Sequence, residues 1–173
     1  MSTEATTAPQ EAMTKAEPQD EHRWLQKLVG EWTVEGEAEM GPDKPPAKFS
    51  GTERVRSLEG LWFLAEGEGE SPGGGADKSL MTLGYDPQRK RFVGTWIGSM
   101  MAYLWVYDGT LDADGRVLTL EAEGPSMAGD GTMATYRDVI EFKSDDHRVL
   151  TSHMPRDDGT WQQFMTAHYR RKK

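Results

Sequence analysis

Cysteine is absent from the 173 residues. That excludes a disulfide scaffold, thiolate catalysis, zinc fingers and cysteine-ligated iron–sulfur clusters. Long apolar runs are missing too, so no segment reads as a membrane-spanning helix and no membrane partner is expected. Positive charge is scarce: 20 Lys and Arg stand against 29 Asp and Glu, a formal net charge of −9. Such acidity argues against nucleic acid and against anionic surfaces as partners. The chain opens Met-Ser-Thr-Glu-Ala-Thr-Thr, with neither a basic start nor an apolar stretch. No secretory signal is read there, and a cytoplasmic location is expected. There is no Gly-x-x-x-x-Gly-Lys phosphate loop, Gly-x-Ser-x-Gly elbow, His-Glu-x-x-His helix or EF-hand loop. No catalytic residue, metal site or cofactor is therefore assigned from motifs.

Aromatic residues are present in strength, with six Trp, five Tyr and five Phe, and they exclude a chain that is disordered throughout. Residues 1–19 are polar and carry Pro9 and Pro18, which reads as a flexible tail. Residues 20–173 read as a single domain. Asp20 is placed to cap a short helix whose face carries Trp24, Leu25 and Leu28, with Gly30 as its terminator. From Glu31 the hydrophobic period changes to two. Trp32, Val34, Gly36, Ala38 and Met40 alternate with Thr33, Glu35, Glu37 and Glu39, the pattern of a half-buried strand.

Nine more strand patterns follow at short, regular spacing. They are separated by Asp86-Pro87, Asp114-Gly115, Ser144-Asp-Asp146, Asp158-Gly159 and the Pro72-Gly-Gly-Gly75 loop. No helical pattern alternates with them, so a parallel α/β sheet is disfavoured. The expectation is an all-β, antiparallel up-and-down barrel of about ten strands with one short N-terminal helix, a β-sandwich being the alternative. Glycines inside strand patterns, such as Gly36, Gly67, Gly69, Gly94 and Gly98, suit sharply bent strands.

Gly30-Glu-Trp32 at the first strand resembles the opening of the calycin superfamily, the lipocalins and fatty-acid-binding proteins. In that group the Trp plugs one barrel end and a basic residue of the last strand packs over it. The resemblance gives Gly30, Trp32 and Arg170 (or its neighbour Arg171) those roles. A closer resemblance, from about Glu21 to the C-terminus, is to a family of bacterial proteins known as domain of unknown function 1579. It is carried by Leu25-Gln-Lys-Leu-Val-Gly-Glu-Trp32, Ser57-Leu-Glu-Gly-Leu-Trp62, Thr82-Leu-Gly-Tyr-Asp-Pro87 and Phe92-Val-Gly-Thr-Trp96. It continues through Gly98-Ser-Met-Met101, Leu104-Trp-Val-Tyr107, Tyr136-Arg-Asp138 and Met165-Thr-Ala-His-Tyr169. It implies a lipocalin-like barrel and no catalytic motif.

A barrel of this size can enclose a small molecule or fill itself with side chains. The aromatic and Met-rich run from Trp96 to Trp105 supplies candidate lining residues Trp96, Met101, Tyr103 and Trp105. Met133, Tyr136, His153, Met165 and His168 complete the candidate pocket for an apolar or amphipathic ligand. Three other readings stand beside it. One is a filled barrel acting through its surface. Another is an enzyme in which Asp138, paired with Arg137 or Arg91, works with Tyr136 or a histidine. The third is a nitrobindin-like haem protein, with haem as cofactor and His168 or His153 on the iron. Gly30, Trp32 and Gly36 match that opening, while Val34 and Ala38 depart from it. Either a monomer or a homodimer fits an acidic barrel.

Overall fold

A computed structural model of the chain describes residues 15–70 and 75–173. The expected tail therefore lies outside the described residues up to residue 14, as does most of the Pro72–Gly75 loop. Helix α1 (Asp20–Gln26) is followed by β1 (Gly30–Ala38), β2 (Ala47–Leu58), β3 (Trp62–Glu70), β4 (Ala76–Asp86) and β5 (Arg91–Gly98). Then come β6 (Met101–Leu111), β7 (Val117–Pro125), β8 (Met133–Ser144), β9 (His147–Pro155) and β10 (Trp161–Arg171). Each strand pairs antiparallel with the next, and β10 pairs with β1 to close the barrel. Closure leaves no strand at the edge of an open sheet. The alternation read in β1 is the pleat of a wall: Trp32 and Val34 are buried while Glu31, Thr33 and Glu35 are exposed. Glu66, Glu68 and Glu70 likewise face out.

Up-and-down order sorts the connections between two ends. The β2–β3, β4–β5, β6–β7 and β8–β9 turns share one end with α1, and the β1–β2, β5–β6, β7–β8 and β9–β10 connections lie at the other. The helix-end turns have local chemistry to match. Glu59 and Gly60 both have positive φ (57° and 77°), as a tight hairpin turn requires. The Asp112 carboxylate accepts the backbone N–H groups of Arg116 and Val117 at 2.8 and 3.0 Å.

The core sits at the helix end. Trp24, Leu25 and Leu28 from α1 and its C-terminal turn cover a layer that includes Phe63, Leu83, Phe92, Leu118, Ile140 and Phe142. Each fully buried side chain of this size contributes about 1.5–3 kcal/mol. The Trp24 indole N–H donates to the Gly115 carbonyl at 2.6 Å, pinning α1 to the β6–β7 turn. Asp20 does not cap the helix. Gln19 occupies the N-cap, and its N–H is accepted by His22 Nδ1 at 2.9 Å. The Asp20 carboxylate is left free and binds Arg23 at 2.8 Å.

Trp32 is fully buried and its indole N–H donates to the Leu28 carbonyl at 2.9 Å. The basic residue packed on it from the last strand is Arg171, not Arg170. The Arg171 guanidinium lies 4.2 Å from the Trp32 ring and donates to the carbonyls of Val29 and Lys27 at 2.7 and 2.9 Å. Register explains the correction: Trp32 pairs with Arg171, whereas Arg170 pairs with the outward Thr33. Gly30, with φ of 139°, leaves the space through which Arg171 reaches; a Cβ there would sit 2.5 Å from its Nη1.

The wall has one weak seam. Pairing of β6 with β7 stops at Asp108–Glu121, although both strands continue toward the end opposite the helix. Beyond that point the Tyr103 hydroxyl, donating to the Glu123 carbonyl at 2.9 Å, bridges the gap.

Candidate functional site: an interior cavity opposite the helix

Above the core the barrel is not filled. A cavity of about 780 Å³ opens at the end away from α1. Its outer part is lined by Met101, Tyr103, Trp105, Pro125, Met127 and Phe164. Further walls come from Phe49, Met81, Trp96, Tyr136 and Met165. The aromatic rings hold one another in edge-on contacts. Trp105 lies 5.0 Å from Tyr103 and 5.3 Å from Tyr136, and Tyr136 lies 6.4 Å from Phe164. Such pairs fix ring orientation as well as adding burial. Gly124 makes room for this arrangement, because a Cβ there would strike the Trp105 ring.

The polar part of the lining sits at mid-barrel. The Asp138 carboxylate accepts hydrogen bonds from Ser152 Oγ at 2.6 Å and from the Tyr107 hydroxyl at 2.5 Å. Burial raises the carboxyl above its ordinary range, against the pull of those two bonds and of nearby His153. Burial and the Asp138 charge in turn push the Tyr107 hydroxyl well up. Below lies a second cluster. Arg148, nearly fully buried, is bonded to Glu53, and its guanidinium lies 4.0 Å from the Tyr169 ring and 4.7 Å from that of Trp32. Burial and the nearby Glu53 push the Tyr169 hydroxyl up as well.

Of the candidate lining residues, Trp96, Met101, Tyr103, Trp105, Tyr136 and Met165 surround this cavity. Three do not. Met133, at the start of β8, is solvent-exposed. His153 is on the outer face, because its neighbour Ser152 pairs with inward Asp138; its Nε2 meets Thr151 Oγ1 at 2.9 Å. His168 is also outside, between the inward Ala167 and Tyr169. It stacks on His147, with Nδ1 3.0 Å from His147 Nε2. The remaining histidine, His22, belongs to α1. No imidazole therefore lines the cavity, and a haem held by His168 or His153 does not fit this chain.

The anticipated Asp138 pairings with Arg137 and Arg91 are also absent. Arg137 points outward to Glu121 at 2.7 Å, and Arg91 reaches toward Asp108 on the outer surface. The residues that sequence reasoning missed are Glu53, Tyr107, Arg148, Ser152 and Tyr169. A signal existed for two of them: Glu53 is in phase with Phe49 and Val55, and Arg148 with Leu150, so a strict two-residue period already places both inside.

Fold and site together define a closed ten-stranded antiparallel barrel, plugged at one end and hollow at the other. Residues 17–171 match the family model described as "Protein of unknown function (DUF1579)", and the chain belongs to that family. No curated protein matches it significantly. Among solved structures, Rv2717c from M. tuberculosis is similar in fold, with a TM-score of 0.65 and 14% identity over 91% of this chain and 100% of that one. EF1p2_mFAP2b bound to DFHBI aligns with a TM-score of 0.48 and 14% identity, over 87% of this chain and 98% of that one. A redesigned β-barrel, mFAP1, bound to DFHBI, aligns with a TM-score of 0.46 and 14% identity, over 86% and 99% of the two chains.

Proposed function

We propose that the protein is a small-molecule-binding barrel that takes an apolar or amphipathic ligand into its interior. One observation carries this reading: a cavity of about 780 Å³, open at one end, with aromatic and methionine walls and a polar cluster at mid-barrel. Binding pockets for small organic molecules typically enclose about 300–1,000 Å³ and combine apolar walls with a few orienting polar groups. Met101 and Met127 at the mouth are exposed and flexible, which suits an entrance that adapts to its guest. The Asp138–Ser152–Tyr107 cluster gives the ligand's polar atom a place to dock away from water.

The test is a fluorescence titration with 1-pyrenemethanol, a neutral flat probe, following tryptophan quenching. Saturable binding is expected. Ala65→Phe, which puts a ring into the cavity from β3, should weaken it by about tenfold or more through steric exclusion. Unchanged binding to the filled variant, with its fold intact, would place the probe elsewhere and overturn the reading.

A further inference from the structure

We infer that the ligand is an organic cation, a flat or bulky apolar body bearing a protonated amine, whose nitrogen docks against Asp138 within the aromatic walls. This rests on the interior-ligand reading above and goes further by naming the ligand's charge.

The charge of the lining is the first ground. Among the described residues only two carboxylates face the cavity, Glu53 and Asp138, and no Lys, Arg or His lines it. Glu53 is already neutralised by Arg148, whose guanidinium is held beneath the cavity against the Trp32 and Tyr169 rings. Asp138 has no such partner. Its bonds come from the uncharged hydroxyls of Ser152 and Tyr107. The basic groups nearest in sequence, Arg137 and His153, are on the far side of the wall. Arg137 is engaged there by Glu121 and by the Trp161 ring, 4.1 Å away. A buried carboxylate without a counter-ion is costly, and an incoming cation removes that cost.

The direction of the hydrogen bonds is the second ground. The hydroxyl donors of Tyr107 and Ser152 are spent on Asp138, that of Tyr136 on the Pro125 carbonyl at 2.8 Å, and that of Tyr103 on the Glu123 carbonyl at 2.9 Å. The Trp105 indole N–H points to Met101 Sδ at 3.1 Å. The hydroxyl oxygens of these groups keep acceptor capacity, which suits a ligand that brings donors of its own, as an ammonium does. Around them stand the rings of Trp96, Trp105, Tyr103 and Tyr136, whose faces attract a cation and not an anion.

The experiment uses three probes of one shape: 1-pyrenemethylamine as a cation, 1-pyrenemethanol as a neutral molecule and 1-pyrenecarboxylate as an anion. Each is titrated into the full chain near pH 7.5. The amine is expected to bind about tenfold tighter than the alcohol, and the carboxylate at least about tenfold weaker than the alcohol. In Asp138→Asn the amine should fall to the affinity of the alcohol, while the alcohol keeps its own. A second arm needs no variant. As pH falls and Asp138 takes up a proton, amine binding to the wild-type chain should weaken while alcohol binding stays level. The groups around Asp138 are Ser152 and Tyr107, bonded to it, with Tyr169 nearby and His153 behind the wall; Glu53, the other carboxylate of the lining, is paired with Arg148.

If the carboxylate binds as tightly as the amine, or if the amine's advantage survives Asp138→Asn and is flat with pH, the cation assignment is overturned and the interior-ligand reading stands. If none of the three probes binds, both readings fall.

Discussion

The two ends of the barrel are made by the same ten strands but solve opposite problems. At the helix end Trp32 is fully buried, its indole N–H is bonded to Leu28, and Arg171 covers it while tying down two carbonyls just past α1. At the far end Trp105 stands in a cavity wall, its indole N–H has only a thioether as partner, and the adjoining β6–β7 ladder has already come apart. One end thus holds large side chains packed to closure, and the other holds large side chains arranged around space. The difference teaches that in this barrel stability is concentrated at the plug, which leaves the mouth free to be shaped for a guest.

Substitutions at matched positions test that division. The largest effect is expected from Trp32→Ala, a cavity-forming change at the plug that should cost about 3–5 kcal/mol in urea unfolding. Trp105→Ala removes the same side chain from the open end and should cost only about 1–2 kcal/mol, while abolishing saturable pyrene binding. Equal stability losses for the two would break the comparison. Next in size is Arg171→Ala, which strips two bonds from carbonyls beside α1 and should cost about 1–3 kcal/mol. Arg170→Ala, on the outer face, should stay within about 0.5 kcal/mol.

The smallest effects concern pH, and their signs differ between the ends. Burial lowers the pKa of His22 below its usual 6.5. The folded chain therefore favours the neutral ring that accepts the Gln19 N–H. Stability from this group is present above the ordinary histidine value and is lost as pH falls through the lowered one. Burial raises Asp138, so the folded chain binds that proton more tightly than the unfolded chain does. Stability then falls as pH rises from the ordinary carboxylate range through the raised value. His22→Gln should flatten the acid-side loss, and Asp138→Asn should be more favourable relative to wild type at pH 8 than at pH 4. Urea midpoints across pH check both. A dependence at Asp138 of the same sign as at His22 would contradict the burial argument.

Much of the fold was legible because most wall strands alternate along most of their length, and a ten-strand barrel needs little more than alternation and turn residues. The site was legible mainly in its apolar part. Trp96, Tyr103, Trp105 and Tyr136 announce themselves as large side chains that need cover. Glu53 and Arg148 lie in phase with apolar neighbours, but a charged side chain is assigned outward by default. Asp138 stands out in the sequence, but not its partners Ser152 and Tyr107, which only the folded barrel brings to it. The face of His168 was hidden for a related reason. The β-bulge between Gln163 and Met165 breaks the alternation of β10, so Phe164 and Met165 both line the cavity. The face of His168 therefore follows from Ala167 and Tyr169, not from counting back to Phe164. Arg170 and Arg171 were both open from the sequence, and one residue at a strand end is the difference between the two faces of the sheet.

The most direct test of the two-ended account uses the six tryptophans as reporters. The protein is labelled with 5-fluorotryptophan and its ¹⁹F spectrum followed while 1-pyrenemethylamine is added. The resonances of Trp96 and Trp105 should shift and saturate together, while those of Trp24 and Trp32 in the plug hold still. Shifts confined to Trp62 and Trp161 on the outer wall, or no saturable shift at Trp96 and Trp105, would contradict an open interior that binds its ligand from the end opposite the helix.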